Sequence, residues 1–369
     1  MALIKSKKRY KVLICISAIV VLSLLVVFLL ITSKFNKKFY NEESTVDNNY
    51  NNSVLSNGDV VMLNNNLYFN YNGYDSIFFF GLYQINQNGS SRVYWSGPSF
   101  SPGNDLCNLK CFNSTLLDGV IDDVYLIKNE NTLSSEIKNN IYSFDVSDNS
   151  FKLFSTIKSN STVNGYEVVK NKFYFFTDTD ICISDDGINI KSVFNNVKDI
   201  KKINIMSEES CYINENSIFY ISQDGCLKNY DTYLQKYIWS KSLNSLSVSL
   251  DDVYKVFAND EYVFIVTSNG DSLEIYKTPC DSLNVAFEKF YSKKIETPNI
   301  NSYGNKIFIS SDATGLDVID TSDNSSRNIL NSGVRDTYVF DEKYLYYIDM
   351  SGALNRIRLS DEKTEKIFG

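Results

Sequence analysis

Runs of three apolar or aromatic residues recur along the chain, and each run follows an Asn, Asp or Glu and one polar residue. Asn and Asp tolerate the backbone of tight turns, whereas consecutive apolar residues are typical of a strand that is buried on both faces. The pattern therefore predicts a repeated β-hairpin whose second strand is covered by neighbours. Seven copies occur, at residues 65–69, 122–126, 171–175, 216–220, 260–264, 305–309 and 342–346.

The spacing of these copies indicates the architecture. Their first apolar residues are 57, 49, 45, 44, 45 and 37 residues apart, and intervals of about 40–50 residues are typical of a four-stranded propeller blade. Four later copies are followed by a glycine, at Gly225, Gly270, Gly315 and Gly352. We therefore predict an all-β fold, a seven-bladed β-propeller with four-stranded blades over residues 59–369. An open solenoid or two stacked sandwiches share the pattern, and spacing alone leaves six or eight blades open.

The N-terminus has a different pattern, because residues 12–32 form a run of 21 residues without a charge. About 20 apolar residues are needed to cross a bilayer, so we predict a transmembrane signal anchor here, with a cleaved signal peptide as the alternative. Five basic residues precede the run and three follow it, which predicts a cytoplasmic basic tail at residues 1–11. Residues 33–58 are polar and aperiodic, as expected of a linker that leads to an extracellular domain.

Charge and composition exclude several functions. Residues 1–38 contain eight basic and no acidic residues, so the rest of the chain has 28 of the 36 basic and all 44 acidic residues, a net charge of −16. An acidic domain repels polyphosphate, and nucleic acid is therefore not an expected partner. The chain has no histidine, which removes the commonest general base and the usual Ser–His and Cys–His pairs. We predict no catalytic and no cofactor-binding residue.

The long first interval between copies contains residues 96–118, which we interpret as an inserted loop on one propeller face. Loops on a rigid frame commonly bind partners, so this segment is the predicted protein-binding surface. Cys107 and Cys111 lie within it, four positions apart, and an exported domain permits a disulfide between them. Three further cysteines in predicted strands, Cys182, Cys211 and Cys226, are expected to be plain core residues.

Four acidic residues form a second candidate site. Asp178, Asp180, Asp185 and Asp186 lie in consecutive turns of the third copy, and carboxylates brought together in this way could hold Ca²⁺, which takes six to eight oxygen ligands. The spacing does not match an EF-hand loop. Solvated turn carboxylates are the alternative interpretation, and we predict no other metal.

Two short motifs resemble a known family. Tyr-Tyr-Ile-Asp at residues 346–349 and Phe-Phe-Thr-Asp at residues 175–178 resemble the Tyr-Trp-Thr-Asp signature of low-density-lipoprotein-receptor-type propellers. The sequence at residues 352–357 occupies the position of the strand that follows. The chain is also similar to bacterial membrane-anchored propellers of unassigned function. This resemblance implies a propeller outside the cytoplasm and transfers no catalytic residue.

These patterns lead to one functional hypothesis and one alternative. The hypothesis is an extracytoplasmic, single-pass propeller at the cell membrane, acting as a non-enzymatic protein-binding or scaffold module. Its predicted partner is a protein at or outside the membrane. The alternative is a carboxylate-based, glycosidase-like hydrolase outside the cell, which would need two convergent carboxylates in the channel or on one face.

Overall fold

The computed structural model describes residues 20–23, 49–56, 58–64, 66–71, 81–86, 89–94, 109–113, 115–117, 125–129, 132–136, 139–145, 147–148, 150–159, 163–201, 211–246, 248–269, 272–282, 286–295 and 298–369. Most of the predicted membrane anchor therefore lies outside the described residues, although residues 20–23 are helical. Within the described ranges no helix is both long and apolar enough to span a bilayer. The anchor stays a prediction.

The described strands form seven four-stranded antiparallel sheets that follow one another along the chain as the blades of a propeller. Blades 1 to 3 comprise β1 (Val60–Leu63), β2 (Asn66–Tyr71), β3 (Gly81–Asn86) and β4 (Gly89–Tyr94); β5 (Lys110–Phe112), β6 (Thr115–Leu117), β9 (Asn139–Asp145) and β10 (Ser150–Ile157); β11 (Val163–Val169), β12 (Lys172–Thr177), β13 (Ile181–Ser184) and β14 (Lys191–Phe194). A two-stranded hairpin, β7 (Tyr125–Asn129) and β8 (Thr132–Glu136), is inserted between β6 and β9 of blade 2.

The remaining blades are more regular. Blades 4 to 7 comprise β15 (Cys211–Asn214), β16 (Ser217–Ile221), β17 (Cys226–Asp231) and β18 (Lys236–Ser242); β19 (Val253–Ala258), β20 (Tyr262–Asn269), β21 (Ser272–Pro279) and β22 (Glu288–Lys294); β23 (Asn299–Tyr303), β24 (Lys306–Ser311), β25 (Gly315–Asp320) and β26 (Ser326–Leu330); β27 (Val334–Val339), β28 (Tyr344–Asp349), β29 (Leu354–Arg358) and β30 (Thr364–Phe368). Short 3₁₀ turns cover Val197–Asp199, Leu243–Leu246 and Leu250–Asp252.

Apolar clusters between neighbouring sheets hold the ring together. One cluster joins the first and last blades, where the rings of Phe69 and Phe368 lie 5.5 Å apart beside buried Tyr346. The first and last blades therefore meet through side-chain packing, and each sheet is built from one continuous stretch of chain. Ile218 and Phe308, first and second apolar residues of two sequence repeats, are fully buried. The prediction of a seven-bladed propeller is confirmed.

Six of the seven predicted repeat copies contribute the second strand of a blade, and the copy at residues 122–126 is wrong. Tyr125 belongs to β7 of the inserted hairpin, whereas the second strand of blade 2 is β6. A turn at Asn113, with φ of 51°, precedes β6. The strand begins with Thr115 in place of an apolar residue, so the repeat pattern matched the insertion instead.

This correction also changes the predicted loop at residues 96–118. Residues 110–112 and 115–117 are blade strands, and the insertion within blade 2 lies between β6 and β9. Residues 95–108, which contain Cys107, lie outside the described residues. Cys111 lies on β5 and is 7% exposed, so it is a buried strand residue and not part of a surface loop. The predicted disulfide to Cys107 stays a prediction.

The three described turn glycines follow the predicted pattern. Gly225, Gly315 and Gly352 have φ values of 79°, 82° and 80°, a region that favours glycine. A Cβ at Gly315 would lie 1.9 Å from the carbonyl oxygen of Leu330. The turn into the third strand of blade 6 therefore depends on a residue without a side chain.

The ring has two faces that are defined by the connections between strands. On the hairpin face, the first strand of each blade turns into the second and the third into the fourth. On the opposite face, the second strand turns into the third and one blade leads into the next. The first strand of every blade is innermost and runs from the opposite face to the hairpin face.

Candidate functional site: the plugged central channel

A short helix, α1 (Asn49–Ser56), occupies the centre of the ring. It contacts the inner strands β1, β5, β11, β23 and β27, and its side chains and carbonyl groups bond to β15 and β19 as well. All seven inner strands therefore surround it. The segment lies within the predicted polar linker, residues 33–58. Its sequence, Asn-Tyr-Asn-Asn-Ser-Val-Leu-Ser, is mostly polar, as is much of the channel wall that it contacts.

The N-terminal end of α1 lies towards the hairpin face. The Asn49 amide donates to the Met62 carbonyl over 3.0 Å and its oxygen accepts from the Met62 N–H over 3.1 Å, near the end of β1. The Tyr50 hydroxyl accepts from the Ile213 N–H over 2.9 Å. Burial raises the pKa of the Tyr50 phenol, which therefore stays neutral.

The middle of α1 is fixed by Asn52, which is fully buried. Its amide donates to the Val339 carbonyl over 3.0 Å, and its oxygen accepts from the Val339 N–H over 2.9 Å and from the Asn301 amide over 2.8 Å. One side chain thus continues the hydrogen bonding of β27 as a neighbouring strand would. Buried polar groups are stable only when they are paired in this way.

The C-terminal end of α1 lies towards the opposite face. The ammonium of Lys255, near the start of β19, donates to the Leu55 carbonyl over 2.9 Å. A cation at this position also opposes the partial negative charge of a helix C-terminus. Helix and chain then leave the channel, and the Gly58 N–H donates back to the Asn52 carbonyl over 3.0 Å.

A buried ion pair lies on the same inner layer. Lys110 on β5 donates to Glu167 on β11, and the two side chains are 2% and 3% exposed. The ammonium also lies 5.6 Å from the centre of the Tyr166 ring. The pair links the innermost strands of blades 2 and 3.

The hairpin-face mouth of the channel is a cavity of about 270 Å³. Four inner hairpins, those of blades 3 to 6, form its rim around the half-buried N-terminal end of α1. Its polar lining includes Asn51, Asn214, Asp260, Ser302 and Asn305. The Tyr50 and Tyr212 rings, 5.4 Å apart, form part of its wall. A cavity of this size and lining suits a small polar molecule, held by hydrogen bonds and aromatic contact.

The opposite mouth contains the buried carboxylate of Asp336 and the half-buried carboxylate of Asp59 around one guanidinium. Arg335 lies 2.9 Å from Asp336 and 3.9 Å from Asp59, and the Asn299 amide donates to Asp336 over 2.5 Å. Burial first, and then the neighbouring Asp336 carboxylate, raise the pKa of Asp59 to about 7. Burial also raises the pKa of Asp336, against the opposing effect of Arg335.

These two carboxylates bear on the hydrolase alternative. A glycosidase needs two carboxyl groups that flank a bond of the sugar and remain accessible to it. Here one guanidinium lies between the pair, and the Asp336 side chain is only 4% exposed. The arrangement is that of a structural charge cluster that joins the exit of α1 to β27.

Three of the four predicted calcium residues accept hydrogen bonds from neighbouring protein groups, whereas Asp185 is an exposed turn residue. Asp186 accepts from the Ser184 hydroxyl and from the N–H groups of Ile188 and Asn189, and these bonds lower the pKa of its carboxyl. Asp180 accepts from Ser192, and Asp178 from the Asn164 amide. Over the described part of the chain, no three Asp, Glu or Cys side chains are grouped as in a metal site.

Three cysteines predicted to be core residues can be placed. Cys182 and Cys211 are 5% and 4% exposed, whereas Cys226 is half-buried at the start of β17. Burial raises the pKa of the Cys182 thiol to about 11, as expected for an inert thiol. Trp239 is also a packing residue, since it is 4% exposed and donates to the Cys280 carbonyl of blade 5 over 2.7 Å.

Comparison with known proteins supports the fold and leaves the family open. No protein-family model matches the sequence, and no curated protein matches it. Among solved structures, the extracellular domain of a candidate hybrid two-component system from B. thetaiotaomicron is similar, with a TM-score of 0.53 and 10% identity over 89% of this chain and 44% of that one.

Two further bacterial structures are similar at a lower level. PorZ, an essential surface component of the type-IX secretion system of Porphyromonas gingivalis, has a TM-score of 0.49 and 14% identity over 85% of this chain and 38% of its own. BamB from Moraxella catarrhalis has a TM-score of 0.43 and 10% identity over 89% and 92%. The chain thus spans less than half of the first two proteins, and at these identities the likeness is one of fold.

Proposed function

We propose that this chain is an extracytoplasmic, membrane-anchored propeller that acts as a non-enzymatic protein-binding module. The observation that carries the proposal is the threading of the channel by α1. The N-terminal segment meets the ring at its axis on the hairpin face, because the first turn of α1 bonds to Met62 and Ile213 at the ends of inner strands. A tether attached there would turn the hairpin face towards the membrane and leave the opposite face to partners.

Two long departures from the regular repeat support this orientation. Residues 95–108 connect β4 to β5, and residues 118–138 connect β6 to β9. Both connections join the ring on the opposite face, at blades 1 and 2. The proposed partner surface is therefore the opposite face at these blades, rather than residues 96–118 alone. With a net charge of −16 outside residues 1–38, the domain would favour a basic partner.

A binding role is favoured over hydrolysis by the state of the channel. The axial helix plugs it beyond the cavity at the hairpin-face mouth, and the helix bonds to Lys255, Asn301 and Val339 of the wall. The acidic pair at the opposite mouth is held by Arg335. Substrate access along the axis would require α1 to leave, whereas a partner protein can use the outer surface of the ring as it is.

Labelling in intact cells tests the topology. Ser332→Cys places a thiol at an exposed position of the opposite face, and Ser6→Cys is its control in the basic tail. A membrane-impermeant thiol reagent should modify the first variant before lysis and the second only after lysis, above the background of the unsubstituted chain. Protection of Ser332→Cys until lysis would reject the proposed location.

Crosslinking in intact cells tests the partner surface. Residues 118–138, which connect the second and third strands of blade 2, are replaced by the three residues that make the equivalent connection in blade 6, between β24 and β25. We expect loss of a crosslinked protein that the unaltered chain captures, at an unchanged melting temperature. Identical crosslinks in both chains would reject the surface, and the absence of any specific crosslink would reject the binding module.

A further inference from the structure

Blade 4 has an unusual concentration of exposed apolar side chains. Tyr233, Leu234, Tyr237 and Ile238 are 83%, 52%, 46% and 43% exposed, and all four lie in or beside the turn between β17 and β18. The other large apolar residues that are exposed in the described blades, Leu153 and Met350, lie alone. Single exposed apolar residues are ordinary, whereas a cluster marks an interaction site. We call these four residues the blade-4 edge.

Among the turns that the structure describes in full, the same turn occurs twice more with different residues. In blades 4, 6 and 7 its second residue donates an N–H to the inner hairpin of the same blade, from Thr232, Thr321 and Leu359 over 2.7, 2.7 and 2.8 Å. The fifth residue has a positive φ of 51°, 59° and 57°, at Gln235, Asn324 and Glu362. The two positions between them are Tyr-Leu in blade 4 but Ser-Asp in both other blades. The fold therefore does not require apolar residues there.

The neighbouring outer strand departs from its equivalents as well. Blades 6 and 7 have a bulge at the far end of the outer strand, where Ile329 and Ile367 are 9% and 3% exposed. In blade 4 the bulge lies next to the turn, between the pairs Tyr230–Tyr237 and Asn229–Trp239. A bulge redirects the side chains around it, and here the bulged Ile238 is exposed.

The blade-4 edge is held by contacts within its own blade. The Asp231 carboxylate accepts from the N–H groups of Tyr233 and Leu234 over 2.8 and 2.7 Å. The Tyr237 ring packs edge-on against Tyr230, with ring centres 5.2 Å apart. A surface held in this way loses little entropy when it binds.

The position of the tether indicates what the edge contacts. Turns between third and fourth strands lie on the hairpin face, the face at which the N-terminal end of α1 lies. Residues 33–48 separate α1 from the predicted membrane segment, and sixteen residues reach at most about 55 Å. The blade-4 edge thus faces the bilayer if the chain is anchored as proposed. We propose that the blade-4 edge docks on the lipid surface and is a second membrane contact besides the anchor; this inference rests on the proposed function.

The chemistry of the edge suits the interfacial zone of a bilayer. Tyrosine is enriched at headgroup depth, where its ring is apolar and its hydroxyl remains hydrated. Leu234 and Ile238 can enter the acyl boundary, and exposed Lys236 lies between them to meet lipid phosphate. The equivalent turns of blades 6 and 7 carry Asp323 and Asp361, which favour water. Contact would therefore be one-sided, with blade 4 tilted onto the membrane.

Tryptophan fluorescence in reconstituted vesicles tests this contact. The full chain is placed in phosphatidylcholine vesicles with and without brominated lipid, a quencher at known depth. Tyr233→Trp is compared with Ser322→Trp, the same position of the blade 6 turn, after subtraction of the emission of the unsubstituted chain. We expect strong quenching of the emission added by Y233W and little quenching of that added by S322W.

Each outcome separates this inference from the proposed function. Weak quenching in both variants, with the chain retained by the vesicles at alkaline pH, would overturn the lipid contact and leave the anchor intact. Equal strong quenching would show that the whole hairpin face lies on lipid, with no special role for blade 4. Extraction of the chain by alkaline carbonate would reject the anchor and this inference together. Protein crosslinks at position 233 without quenching would assign the edge to a protein instead.

Discussion

Two ion pairs, one near the axis and one at the rim, show how differently the two zones of this ring are built. Lys110 and Glu167 join inner strands and are 2% and 3% exposed. Lys152 and Asp145 join the outer two strands of blade 2 and are 52% and 33% exposed. Near the axis, many polar groups are buried and paired, and losing a partner there is costly because water cannot replace it. At the rim, water can replace a lost partner, so one polar residue can be exchanged for another at little cost. A cluster of exposed apolar residues is therefore unusual there.

The largest difference between axis and rim is expected when one charge is removed from each ion pair. Glu167→Gln leaves the Lys110 ammonium buried without its counter-charge, and breaking a buried pair in this way costs about 3–5 kcal/mol. We expect a correspondingly large loss in the free energy of unfolding, measured by chemical denaturation. The matched variant Asp145→Asn should leave that free energy nearly unchanged. Similar losses in the two variants would contradict the distinction between axis and rim.

The second prediction concerns the contact between α1 and the channel wall. Asn52→Ala removes three hydrogen bonds to Val339 and Asn301 and leaves buried groups unpaired, at a cost of about 3 kcal/mol. The melting temperature should fall clearly. Asn244→Ala, at an exposed position of a 3₁₀ turn, is the control and should melt as the unaltered chain does. If Asn52→Ala melts normally, α1 is not an integral part of the ring.

The repeat pattern predicted the ring because it reports burial between blades. Residues such as Ile218 and Phe308 are apolar since both sides of their strand are covered, and this requirement recurs once per blade. Blade 2 was misjudged because β6 begins with Thr115, while β7 carries three consecutive apolar residues. An insertion that imitates the repeat cannot be distinguished by pattern alone.

The plugged channel could not be predicted in the same way. The sequence of α1 has no apolar stripe, because much of its surroundings consists of amide, hydroxyl, ammonium and backbone groups from separate inner strands, with Leu55 as an apolar exception. Asn52 is a specific partner for β27 at a separation of 287 residues, and such pairing leaves no local periodicity. The only sequence signal was the Asn-rich composition, which is equally typical of a linker. Asp59 and Asp336 were missed for the same reason.

The third prediction uses the pKa of Asp59 to probe the exit of α1. Because the folded state raises this pKa from 3.8 to about 7, folding favours the protonated carboxyl. Its contribution to stability is fully present below pH 4 and is lost as the pH rises to 7. The free energy of unfolding should therefore fall by roughly 3 kcal/mol between pH 4 and 7, and the opposing effect of Arg335 is already part of this shift.

Asp59→Asn should reduce this pH dependence, and the difference between the two chains reports the Asp59 carboxyl together with its effect on the neighbouring Asp336. The chain has no histidine that titrates in this window. Exposed carboxyls with a lowered pKa, such as that of Asp186, titrate below pH 4 and do not contribute between pH 4 and 7. Parallel pH profiles for the two chains would show that Asp59 has its ordinary pKa and that the opposite mouth is open to water.

The smallest expected effect concerns the rim. Tyr233→Ser combined with Leu234→Asp gives the blade 4 turn the residues that blades 6 and 7 already have. The turn is held by Asp231 and Thr232, which remain, and Tyr233 is 83% exposed, so little packing is lost. Denaturation should change by less than about 0.5 kcal/mol. A loss above about 1 kcal/mol would mean that the blade-4 edge is part of the packed structure. The exposure of the blade-4 edge would then no longer indicate a docking surface. Its apolar residues, unlike the polar residues at the rim of the other blades, would instead be explained by their contribution to stability.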